Sequence, residues 1–129
     1  MKHAPFQHPH DTLASGGFRF LSELVAWIAG PWAMGVINPW LTLPTLVVLV
    51  GLPAVFSTPG DKRTIIIATP GPARILIEML QYTVAVIAPW YVWPDWAATI
   101  SVVAVILSLT LGLKRFAWLL GGAKEIPRD

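Results

Sequence analysis

The chain contains no cysteine at all. That excludes disulfides, thiolate metal sites and cysteine nucleophiles. Histidine occurs only at His3, His8 and His10, so no later histidine can ligate haem, chlorophyll or a metal. Charge is also scarce: 12% of the 129 residues are Asp, Glu, Lys or Arg, against about 25% in soluble domains. The net charge of +2 comes without a basic cluster interleaved with aromatics, which argues against nucleic acid as a partner. There is no HExxH, no Ser/His/Asp set and no phosphate-cradling glycine loop, so the sequence points away from an enzyme and implies no cofactor.

Apolar residues are abundant, 55% of the chain, with mean hydropathy +0.64. A chain this short cannot hide so much apolar surface in its own core, because small domains bury the smaller fraction of their surface. Lipid is the solvent that accommodates the excess. The expected fold is all-α, an integral membrane four-helix bundle made of two antiparallel hairpins. About 20 apolar residues cross a hydrocarbon core of roughly 30 Å, and the expected spans are residues 17–37, 40–57, 71–91 and 97–120. Residues 1–16 read as a polar cytoplasmic tail without a signal-peptide core, and residues 121–129 as a second one. The tail histidines read as solvated groups, since a proline-bearing segment gives ligands no fixed geometry.

Proline marks the weak points. Pro31 removes a donor late in the first span, freeing the Trp27 carbonyl and predicting a kink near Gly30. Pro44 fits the first turn of the second span. Pro53 is interior, predicts a bend near Leu49–Gly51, and requires neighbouring groups to satisfy the freed carbonyl. Ile65, Ile66 and Ile67 form a run too short to span, expected at the interface or beneath the bundle. Ala104, Ser108 and Gly112 recur every four residues, a spacing that lets helix backbones approach closely.

The distribution of charge gives an orientation. Lys2 and Arg19, then Lys62, Arg63 and Arg74, then Lys114, Arg115, Lys124 and Arg128 all fall on one side of this scheme. The loops opposite hold only Asp95. By the positive-inside rule both termini and the central connection are cytoplasmic. Trp32, Trp40, Trp90, Trp93 and Trp96 gather at the other face, where indole rings anchor at the membrane boundary.

One pattern occurs twice. FRFLSELVAWIAGPW places Arg19 and Glu23 four apart before Pro31-Trp32, and ARILIEMLQYTVAVIAPW places Arg74 and Glu78 four apart before Pro89-Trp90. Both copies start on the same side, so the internal repeat is parallel, with its axis along the membrane normal. The distance from Arg to Pro differs, twelve residues for Arg19 to Pro31 and fifteen for Arg74 to Pro89. Residues four apart share a helix face and can pair. A lone charge in the bilayer costs about 2.5–3.5 kcal/mol on insertion scales. The arginines lie near the inner end, where they can snorkel. The glutamates lie a turn deeper and should point into the bundle. Pairing is open between Arg19–Glu23 with Arg74–Glu78 and the crossed set Arg19–Glu78 with Arg74–Glu23. Either way the first and third helices should touch, with the four charges as one structural cluster.

FRFLSELVAW and, after the central connection, TPGPARILIEML resemble the YrdB-like group of small bacterial four-helix membrane proteins over about Phe18–Leu113. The resemblance implies four helices and brings no activity. The functional expectation is a non-catalytic accessory or scaffold subunit of a larger membrane complex, with lipid and other membrane subunits as partners and a homo-oligomer open. The alternative is a small dimeric transporter or ion conductor that uses Glu23 and Glu78.

Overall fold

A computed structural model describes residues 13–58 and 66–121. The chain is mostly helical. Helix α1 (Leu13–Ile37) is followed by a 3-10 turn (Pro39–Leu41), α2 (Thr42–Val55), α3 (Gly71–Ile87), the short α4 (Pro89–Val92), α5 (Asp95–Leu111) and α6 (Leu113–Leu120). Two spans are long and apolar enough to cross a membrane, Leu13–Ile37 and Gly71–Val92. The bent pair α5–α6 qualifies as a third when taken together. The lengths and compositions suit a membrane protein, and large apolar side chains such as Leu43, Leu76 and Ile106 face outward.

The helices depart from the expected spans at several places. The first begins at Leu13 rather than residue 17, so the last residues of the anticipated tail are helical. It also runs through Pro31 as one element. The second ends at Val55, because Phe56 and Ser57 pair in parallel register with Ile67 and Ala68. The isoleucine run thus contributes to a two-residue strand, with Ile66 and Ile67 exposed. The third span breaks at Ala88, where Pro89 brings no donor for the preceding turn and starts α4. The fourth starts at Asp95 and turns by 58° at Gly112. Residues 1–12 with the three histidines, residues 59–65 and residues 122–129 lie outside the described residues.

Helix α1 is the hub. It packs against α2, α3 and α5, so the first and third helices touch as expected. Its buried positions are small: Ser15, Ser22, Ala26, Ala29 and Gly30, with Pro31 beside them. The buried face of α5 is similar, with Ala98, Ser101, Ala104 and Ser108. Small residues on facing helices bring the backbones close, which is how packing holds helices together where lipid supplies no hydrophobic drive. Gly30 marks a tight crossing. A Cβ there would meet Leu49 Cδ1 and Val84 Cγ1 at 2.8 Å, so α1, α2 and α3 converge on a position without a side chain. Ala26, Tyr82, Ala85 and Val105 form the centre of the core.

The bend at Gly112 sets the direction of α6. The backbone there (φ −92°, ψ 7°) lies outside helical values. A Cβ at this residue would meet the Ser108 carbonyl oxygen at 2.9 Å. The turn swings α6 against α3. At that contact the Leu119 carbonyl occupies the space a Cβ of Gly71 would need. Arg115 and Leu119 are the buried residues of α6, one turn apart on its inner face.

Candidate functional site

Pro53 organises a seam of buried polar groups. Because it has no N–H, the carbonyl of Leu49 has no partner within α2. Two side chains from other helices take its place. Trp27 Nε1 on α1 donates to Leu49 O at 2.9 Å, and Gln81 Nε2 on α3 donates to the same oxygen at 2.8 Å. One carbonyl with two lone pairs thereby joins three helices. The requirement that Pro53 imposes is met in full by residues distant in the chain.

One turn further along, α2 ends and leaves more carbonyls unpaired. Arg74 Nη1 donates to Pro53 O and to Phe56 O, each at 2.8 Å. Arg74 is therefore buried and turned inward. This corrects the expectation that it would snorkel: open carbonyls at the end of α2 take its donors inside the bundle. Its Nε faces Glu78 Oε2 at 3.5 Å, an ion pair too long for a hydrogen bond. The other carboxylate oxygen, Glu78 Oε1, accepts from Arg115 Nη1 at 2.8 Å. All three side chains are at most 2% exposed.

Arg74 and Glu78, two of the four charges expected to gather, lie together, and Arg115 joins them. Arg19 and Glu23 are half-buried on α1. Arg19 lies near enough to Tyr82 on α3 for its charge to act on the phenol, as do Glu78 and Arg115. The Tyr82 hydroxyl is hydrogen-bonded to Ser108 Oγ at 2.7 Å, which ties α3 to α5. Sequence spacing gives no pointer to Arg115, which lies 37 residues from Glu78 and reaches it only through the bend at Gly112. Gln81 does leave a signal: it is a lone amide in an apolar helix, on the face that carries Arg74, Glu78 and Tyr82.

The five tryptophans occupy the opposite end, on the last turns of α1, the 3-10 turn, α4, the connection after it and the start of α5. Trp40 and Trp96 are the most exposed of them and Trp93 is half-buried. No family model, curated protein or solved structure matches the chain. Among the described residues no three His, Cys, Asp or Glu side chains gather closely enough to share a metal ion.

Chemically, the seam is built to hold. Glu78 lies between two guanidinium groups, and each of its oxygens faces one of them. Arg74 Nη1 donates to two carbonyls, and its Nε forms the longer ion pair with Glu78. Removing Glu78, the shared anion, strands buried charge, a loss of about 3–5 kcal/mol.

Proposed function

We propose that the chain is a non-catalytic integral membrane protein, an accessory or scaffold subunit of a larger membrane complex. The observation that carries this reading is the full burial of Glu78 between Arg74 and Arg115. A carboxylate that drives proton-coupled transport must be reached by water and must titrate. One that is enclosed and doubly neutralised serves to hold helices in register. Transport through Glu23 and Glu78 is therefore the weaker reading.

Four membrane crossings belong to the same reading: α1, the 3-10 turn with α2, α3 with α4, and α5 with α6. These form two antiparallel hairpins related by a parallel repeat. Both termini lie in the cytoplasm of a bacterial cell, as the positive-inside rule requires. The YrdB-like resemblance fits the helix count. The short connections Asn38–Leu41 and Trp93–Pro94 leave no room for an external domain between the helices they join, and favour work done by the helix faces.

Extraction from native membranes in a gentle detergent, with identification of the proteins that accompany the chain, tests the proposal. Recovery with stoichiometric membrane proteins is the expected result. Isolation as a lone homodimer would overturn the subunit reading.

A further inference from the structure

The tryptophan-rich half of the molecule contains a cavity. Hydrogen bonds at Leu49, Pro53 and Phe56 join α2 and its end to α3. Beyond them, toward the tryptophan-rich end, lies an apolar cavity of about 780 Å³. Pro44, Thr45 and Val48 of α2 line one wall, and Leu80, Val84 and Ile87 of α3 line the other. Volumes of about 300–1,000 Å³ are those of sites that enclose a small ligand.

Three observations identify the occupant. First, the threonine donors in the walls are used, Thr45 Oγ1 on Leu41 O and Thr83 Oγ1 on Met79 O, each at a helix backbone four residues back, and no charged side chain is among the lining residues. The occupant is therefore apolar along its length. Second, a partner helix would need small residues for close approach or polar groups to bond. Gly30 and Ala88, which line the cavity, are buried, and the other small lining residues, Ala33, Thr45 and Thr83, stand on three different helices, so they form no pair four residues apart. Third, Val36, Ile37, Val48 and Ile87 are exposed around the walls. The opening is thus itself apolar and faces hydrocarbon in a membrane-spanning chain.

We infer that this cavity holds one acyl chain of a bilayer phospholipid, from the leaflet at the tryptophan-rich face. The chain fills the wedge between α2 and α3, and the exposed Tyr91 at the cavity wall stands at the level of the lipid's polar part. The inference rests on the membrane reading, not on the subunit reading.

The test uses the full chain reconstituted in phosphatidylethanolamine–phosphatidylglycerol vesicles containing a phosphatidylcholine with a mid-chain diazirine. After illumination, labelled peptides are mapped by mass spectrometry. Labelling at Val48, Val84 and Ile87 should exceed that at Leu76 and Ile106, exposed positions outside the cavity, by at least about fivefold, since an enclosed site holds most of a ligand's surface. Ala33→Trp, which fills the cavity from α1, should bring the two sets level, and Val48→Trp does the same from α2 if the first variant does not fold. Equal labelling of both sets in the parent chain, or enrichment that survives the filling variants, overturns the inference while leaving the membrane reading intact. Absence of labelling at Leu76 and Ile106 as well overturns both.

Discussion

Arg19 with Glu23 and Arg74 with Glu78 have the same spacing, on helices that touch, yet their surroundings differ. Each member of the second pair is only 1% exposed, while the first pair is half-buried on α1. The spacing is the same in both copies, so it cannot be the cause. What differs is the backbone nearby. The second pair faces the end of α2, where Pro53 and the chain's departure into a strand leave carbonyls open. It also faces α6, which the bend at Gly112 turns inward. A buried ion pair costs more in desolvation than its mutual attraction returns unless other groups complete it. Two carbonyls and a third charge complete this one. A membrane Arg-x-x-x-Glu motif therefore specifies a direction, and the neighbouring irregularities decide how deeply it is buried.

That contrast can be broken by mutation, and the largest effect is expected at Glu78. Glu78→Gln leaves two buried guanidinium groups without their anion and should lower stability in mild detergent by about 3–5 kcal/mol. Glu23→Gln, the matched change on α1, should cost about 1 kcal/mol or less, as for partly exposed pairs. Equal losses in chemical unfolding of the two variants would refute the asymmetry. Arg115→Met comes next, at about 2–3 kcal/mol, since one charged hydrogen bond is lost while Arg74 remains. Gly71→Ala should produce a similar loss without touching a charge, because its methyl collides with the Leu119 carbonyl and lifts α6 away. If unfolding of Gly71→Ala matched the parent, α6 would not be docked there.

The smallest effect sharpens the role of Pro53. Gln81→Leu should cost about 1 kcal/mol, in the range of interhelical hydrogen bonds in membranes. In a Pro53→Ala background the new N–H competes for Leu49 O, and the same change should cost less than about half as much. A double-mutant cycle with no coupling would show that the two residues do not share that oxygen.

These features differ in how openly the sequence announces them. Asn38-Pro39 and Pro94 locate the turns because proline disfavours helical backbone at the residue before it, and Asn38 and Trp93 are extended. Pro53 announces an open carbonyl by its position alone. Trp27 and Gln81 cannot be named as the donors from the sequence, since they lie 22 and 32 residues from Leu49 in the chain and meet it only after three helices pack. The inward turn of Arg74 is hidden for the same reason: snorkelling is the default for an arginine near a helix end, and only the frayed α2 offers a better destination. Gly112 has the spacing of a small residue for close packing. It is buried, but its larger contribution is the bend, which periodicity cannot reveal because a spacing of four suits a straight helix equally well.

The docking of α6 over Glu78 also fixes an order of events during synthesis. Chains emerge N-terminus first, so α3 reaches the bilayer before Arg115, 37 residues after Glu78, has emerged. At that stage Arg74, one turn away on the same helix, is the nearby cation of its own segment that can accompany the acid into lipid. The i, i+4 spacing is thus an escort for insertion, and the tighter 2.8 Å contact with Arg115 is a closure made once translation has delivered the last helix.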